Sequence, residues 1–345
     1  MNRLDSLRAA VLAAACLACA CAVARADDPK PVEPGPWKFG ELVSVNLSQS
    51  TFSTNWSGGD RGSIVWVIGS ASTAERQFSR RFNSTSSLLL AYGQTARQVE
   101  DPSQPGRRVW DSPDKTTDQI LLESVGRFTL DRFVDPYLAL RAESQFRDQN
   151  NPLGTLNLNP VKLKETAGAA RMLVKAEDRE TVTRLGFGFR QNIGRTLTGV
   201  SPRTTSNFTS NDGGFEWQTN VKQPILQKKV LYTATLLVFQ PVFFSGAADL
   251  EQVDRDAKAA AVPHEAVADR WRETNVNFQN TFSAQITRSI SVNLFAQWVY
   301  DKLDGGMNLN PKQPIAARLA EIDRNTRKAG QFKETLALGL NYRLL

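Results

Sequence analysis

Between residues 272 and 287 the apolar side chains Val276, Phe278, Phe282, Ala284 and Ile286 occupy even positions. Glu273, Asn275, Asn277, Gln279, Thr281, Ser283 and Gln285 occupy odd ones. A period of two predicts a β-strand with one apolar face and one polar face. Strands in soluble sheets are usually about five to six residues long, and this pattern runs much further. It suits a tilted strand crossing a bilayer, with lipid on one side and water on the other.

The same alternation recurs along the chain. Candidate strands fall at 38–50, 62–75, 82–96, 115–129, 136–147, 164–176, 180–192, 214–223, 229–243, 272–287, 289–301 and 332–345. The sixth is ambiguous, since Ala167 to Val174 also suits a helix, and the ninth is apolar on both faces. The connections sort by length. Long ones lie near 51–61, 97–114, 148–163, 193–213, 244–271 and 302–331, and short ones at 76–81, 130–135, 177–179, 224–228 and 287–288 alternate with them. A closed antiparallel barrel has this arrangement, with long loops outside and tight turns on the periplasmic side. The expected fold is an all-β transmembrane up-and-down barrel of about twelve strands, spanning 38–345 as one domain. The charged, alanine-containing stretches Asp249 to Ala261 and Ala316 to Arg327 predict short surface helices or mobile segments over it.

The start of the chain adds a destination. Arg3 and Arg8 precede the apolar run Ala9 to Ala22, and Ala24-Arg25-Ala26 offers a cleavage site, so residues 1–26 predict a secretory signal for Sec export. The proline-rich stretch 27–37, with Pro29, Pro31, Pro34 and Pro36, predicts a periplasmic lead outside the sheet. All three cysteines lie within 1–26, at Cys16, Cys19 and Cys21, which leaves 27–345 without a disulfide or thiolate metal site. The formal charge of +7 is scattered and forms no basic run of the kind that binds nucleic acid. The mean hydropathy of −0.35 fits a barrel, because alternation dilutes the apolar residues. Export, cysteine depletion and β-patterning together point to the bacterial outer membrane.

Within the predicted strands, Arg141, Glu143, Gln145, Arg184, Arg190, Glu216, Lys222 and Glu273 fall on the polar face and are assigned to the lumen. A single charge facing lipid near the midplane would cost about 2–4 kcal/mol. Mixed signs inside predict either a salt-bridged filling or a narrow wet channel for a small solute. Asn55, Trp56, Gly58 and Gly59 predict a tight hairpin loop at the rim. Gly339, Tyr342 and Leu344 form a terminal glycine-and-apolar pattern resembling the signal read by the barrel-assembly machinery, although the last residue is Leu345 rather than an aromatic. The expected partners are outer-membrane lipid and that machinery.

Several segments, in order, carry a family resemblance. They are Leu47 to Gln49, then Thr54-Asn55-Trp56 with Gly58-Gly59, Ala91-Tyr92-Gly93, Lys115 to Ile120, Arg141 to Phe146, and Lys333 to Tyr342. The series resembles the bacterial domain of unknown function 3078, whose members are thought to form outer-membrane β-barrels. The resemblance implies a fold and a location and supplies no activity.

Catalytic patterns are scarce. The single histidine, His264, follows Pro263 in an alanine-rich loop, has no serine near it in sequence, and is expected to be exposed. One histidine cannot build a histidine-based metal cluster. Gly186-Phe187-Gly188 lies within a strand and does not form a phosphate loop. No cofactor motif is present. Three roles remain: a narrow pore or passive envelope barrel, a barrel-type hydrolase built on acidic side chains, and a soluble periplasmic lipid-binding β-protein.

Overall fold

The computed structural model describes residues 33–50, 61–104, 107–130, 133–149, 151, 153–303, 309, 311 and 313–343. The expected signal, most of the proline-rich lead, the Asn55–Gly59 loop motif and Leu344 lie outside the described residues. Twelve strands make the wall: β1 (Lys38–Ser50), β2 (Ser63–Gln77), β3 (Phe82–Glu100), β4 (Asp114–Phe128), β5 (Asp135–Ser144) and β6 (Val161–Lys175). The second half comprises β7 (Glu180–Val200), β8 (Arg203–Ile225), β9 (Val230–Phe244), β10 (Asn275–Gln285), β11 (Ile290–Tyr300) and β12 (Gln331–Arg343). Each strand pairs antiparallel with its sequence neighbour, and β1 pairs with β12 from Leu42↔Arg343 to Asn46↔Gly339, closing the cylinder. A short strand, Arg108–Trp110, adds to the upper end of β3.

The alternation that predicted the strands also sorts their faces. Leu138 is 53 % exposed and Leu185 62 %, with Leu140, Phe187, Phe215, Leu336, Leu338 and Leu340 likewise open on the outer surface. The intervening residues turn inward. The segment at 164–176 is strand and not helix, because both its neighbours supply a continuous ladder, from Asp135↔Ala170 to Glu143↔Lys162 on one side and along β7 on the other.

Aromatic side chains mark two levels of the outer wall. Toward the short turns, Trp37, Phe78, Phe82 and Phe128 form a chain of ring contacts, from 5.6 Å between Trp37 and Phe78 to 4.6 Å between Phe82 and Phe128. Arg76 lies over Phe78 at 4.8 Å. Toward the long loops stand Trp66 and Tyr92 (6.0 Å) and Phe189 and Phe243 (6.0 Å). Phe82 and Tyr92 are ten residues apart on β3. At a rise of about 3.4 Å per residue and a tilt near 40°, that separation is about 25 Å, the height of an outer-membrane apolar band.

One long connection departs from expectation. The stretch 193–213 is not a loop. β7 and β8 run on to Val200 and Arg203 and stay paired throughout. The segment is threonine-rich, which favours strand, but it offers no apolar face because it projects beyond the wall. β6 follows β7 only to Ile193, and β9 follows β8 only to Asp212. The edge of this arm is closed by Asn159, whose side chain copies a strand partner: Oδ1 accepts from Arg195 N at 2.7 Å and Nδ2 donates to Arg195 O at 3.1 Å. Asn159 belongs to the tetrapeptide Asn157-Leu158-Asn159-Pro160, a sequence that occurs again at 308–311.

The connections 245–274 and 301–330 are not independent surface segments. Helix α1 (Ala247–Ala259) and helix α2 (Ile315–Asn325) share a core made of Leu250, Val253, Val267, Leu303 and Ile322. Leu250, Val253 and Ala257 are spaced three and four apart, so they fall on one helix face. Arg318 Nη2 donates to Asp256 at 2.7 Å, and Arg270 Nη1 to Asp323 at 2.9 Å. His264 is not exposed. Its ring sits against Asp254 (3.1 Å) and Val262 O (3.0 Å), while Asp254 also accepts the Val267 and Ala268 amides. The histidine therefore ties this cap together.

Candidate functional site in the barrel lumen

Five consecutive strands bring charge to one side of the interior. Glu123 on β4, Arg141 and Glu143 on β5, Lys164 on β6, Arg184 and Arg190 on β7, and Glu216 and Asp212 on β8 all point inward. Arg184 Nη2 donates to Glu123 Oε1 at 2.9 Å, and Arg141 approaches the other Glu123 oxygen at 3.6 Å. Arg141 also pairs with Glu143, and Lys164 with Glu216. Thr166 stands 3.5 Å from Glu216. Arg190 Nε donates to Asp212 at 2.7 Å, and its guanidinium lies 3.9 Å over the Phe239 ring. Four cations and four carboxylates thus form an internally neutral network. Glu216 is only 3 % exposed, and the Arg184 side chain 7 %.

Burial of this kind requires each charge to find partners. The register supplies them, because Arg141 and Lys164 stand directly opposite on β5 and β6 and would repel without the acidic residues around them. Glycines make the room. Gly168 and Gly186 face each other across β6 and β7. A Cβ at Gly168 would lie 2.2 Å from Leu185 O, and one at Gly186 would meet Tyr137 Oη at 2.8 Å. The Tyr137 ring occupies that space and carries the Arg184 guanidinium at 5.6 Å.

The network lies between two cavities. The larger, about 610 Å³, opens toward the short turns and is lined by Glu123, Arg184, Arg127, Asn220 and Lys222 among others. The smaller, about 200 Å³, lies toward the cap and is lined by Arg141, Lys164, Arg190, Asp212 and Asp301 among others. Asn and Gln side chains of β10 and β11 face the network, with Gln297 Nε2 donating to Asn277 at 3.0 Å. The arrangement is a polar cluster of hydrogen-bonding groups and fixed charges between the two cavities. Among the described residues, no group of three or more His, Cys, Asp or Glu side chains is placed to hold a metal.

The structure brings Arg141, Glu143, Arg184, Arg190 and Glu216 into this network and sets Lys222 at the exposed margin of the larger cavity. Gln145 sits elsewhere. β5 ends at Ser144, and Gln145 bridges Lys115 (2.9 Å) to Asn159 O (2.6 Å) at the rim. Glu273 also lies off the wall, between a 3-10 turn at Arg270–Arg272 and the start of β10 at Asn275. The earlier strand start failed there because the cap, not the barrel, claims residues 270–273. Gly339 faces inward, where a Cβ would fall 2.8 Å from Asn46 Oδ1, and Tyr342 is exposed outside. Glu123, Lys164 and Asp212 were absent from the sequence-derived set. Glu123 falls out of phase with the apolar residues Ile120, Leu122 and Phe128, which is a readable signal, whereas Lys164 stands between Leu163 and Glu165, where no clean alternation marks it, and Asp212 lies in a stretch whose pattern reads as a loop.

No protein-family model matches the chain, and no curated protein sequence matches it. Among solved structures it is similar to the translocator domain of the autotransporter NalP from Neisseria meningitidis, at 8% identity and TM-score 0.34, covering 91% of this chain and 90% of that one. It is similar to an outer membrane channel from Pseudomonas putida F1, at 12% identity and TM-score 0.35, covering 93% and 98%. It is also similar to the β domain of the Bordetella autotransporter BrkA, at 12% identity and TM-score 0.32, covering 90% and 99%. At these scores the assignment of the barrel rests on its own strand register.

Proposed function

We propose that this protein is an outer-membrane barrel whose lumen gives small polar solutes a narrow path past a neutral, charge-lined constriction. The observation that carries this reading is the pair of cavities, about 610 and 200 Å³, on either side of the Glu123–Arg141–Arg184 network. A dry structural core would fill such space with apolar side chains. Here the space is bordered by charges and amides that can replace a solute's water. The outer face supports the location: apolar strands between two aromatic levels fit a bilayer, and the inward charges avoid lipid. Nothing in the lumen recommends hydrolysis over passage.

Swelling of liposomes carrying the refolded protein tests the reading. A small amino acid should enter faster than a disaccharide. Glu123→Ala with Arg184→Ala should narrow that difference by widening the constriction. Swelling no faster than in protein-free liposomes, with a folded barrel, refutes it.

A further inference from the structure

The wall is not laddered along its whole height. At the closing seam, β1 and β12 share five registered pairs among the described residues, Leu42↔Arg343 to Asn46↔Gly339, all toward the short turns. Above them the strands part. β1 continues through Leu47–Ser50, paired only with β2. β12 extends from Leu338 back to Gln331, paired only with β11. By contrast, β1 and β2 are in register along all of β1, from Lys38↔Glu75 to Ser50↔Ser63. Along β12 the unladdered length is eight residues, or about 26 Å of strand.

Both faces of β12 are open at this level. Leu336 and Leu338 are exposed on the outside, and the inward-facing Lys333 and Thr335 are exposed as well. Backbone groups bordering a gap cannot be left bare to hydrocarbon, where each unsatisfied group costs several kcal/mol. Among the described residues nothing pairs with these groups, so the gap suits water or the polar part of a solute.

We infer that the upper β1–β12 seam is a lateral opening through which amphipathic molecules with a small polar head and an apolar tail pass between the lumen and the lipid of the loop-side leaflet. Its two borders suit that class: Lys333, Thr335 and Ser48 face the lumen, while Leu47, Leu336 and Leu338 face lipid. The seam has a closed alternative. Extending the existing register pairs Leu47 with Leu338, Ser48 with Ala337, Gln49 with Leu336 and Ser50 with Thr335. The inference rests on the lumen being a solute path and adds a second exit to it.

The segment 27–345 contains no cysteine, so an engineered pair is clean. Ser48→Cys with Ala337→Cys should lock the seam when oxidised, and Val45→Cys with Leu340→Cys, at a position already paired, is the control. Uptake of the apolar fluorophore 1-N-phenylnaphthylamine is followed in Gram-negative cells producing the full chain, alongside planar-bilayer conductance of the same protein. Oxidation of the first pair should reduce uptake to that of cells lacking the protein and leave conductance intact; reductant should restore uptake, and the control pair should change neither. Uptake that survives the lock overturns the inference, and so does a parallel loss of conductance, which indicates one axial path. If the wild type conducts nothing while uptake still follows the lock, the pore reading fails and the seam stands. A nitroxide at Ala337 decides the matter where the lock does not form. Relaxation by both lipid-soluble oxygen and a water-soluble nickel complex supports the opening. Relaxation by nickel alone, as expected for a label at inward-facing Gln279, overturns it.

Discussion

Removing the Glu216 carboxylate tests the lumenal network most sharply. Glu216 is 3 % exposed and pairs with Lys164, whose side chain is 14 % exposed. Lys164 stands in register with Arg141. Glu216→Leu leaves a buried ammonium facing a guanidinium. Breaking a buried pair from one side costs about 3–5 kcal/mol. Glu216→Gln keeps an acceptor and should cost less, about 1–3 kcal/mol. Lys164→Met with Glu216→Leu removes both charges and should lie within about 1 kcal/mol of the wild type, because an apolar pair of similar volume is often neutral. The assay is urea unfolding in lipid vesicles followed by tryptophan fluorescence, with heat-modified gel mobility reporting the folded barrel. Single substitutions that each cost under about 1 kcal/mol and simply add in the double variant would refute the network as described.

Other substitutions probe the wall and the cap. Gly168→Ala pushes a methyl against the Leu185 carbonyl, a backbone group that cannot swing away, and should cost about 1–3 kcal/mol in the same unfolding assay. Leu185→Arg places a charge on the outer face and should cost about 2–4 kcal/mol in vesicles if its position is near the midplane. In the cap, the hydrogen bond from Arg318, aided by Gln252, holds the Asp256 carboxyl below the ordinary aspartate value of 3.8. The pair therefore stabilises the cap above that value and loses its effect as pH falls through the lower folded value. Amide exchange in α1 and α2 should quicken across that acid window, and Arg318→Ala should remove the dependence.

How much the sequence disclosed follows from which face each residue serves. Where one face meets lipid and the other water, the period of two is strong, and β1, β4, β11 and β12 fall within a residue or two of their expected bounds. β6 was ambiguous because its outer face carries alanines at Ala167 and Ala169, which have no strand preference of their own. The β7–β8 arm reads as a loop in the sequence because it leaves the apolar zone, so the contrast between its faces disappears while its hydrogen bonds persist. Arg184 and Glu216 are legible as inward charges, but the partner each meets, Glu123 for the one and Lys164 for the other, is not. Glu123 is 61 residues from Arg184 and meets it only through three successive strand pairings, β4 with β5, β5 with β6 and β6 with β7. The burial of His264 is illegible for a more local reason: its ring meets Asp254 of α1 and Val262 O only once the turn after the helix folds back on it.

The most direct test of the central claim is planar-bilayer conductance of the refolded wild type beside Glu123→Ala with Arg184→Ala. A polar passage narrowed by the network predicts small discrete steps for the wild type and larger ones for the variant. A folded, heat-modifiable protein that conducts in neither form would contradict it.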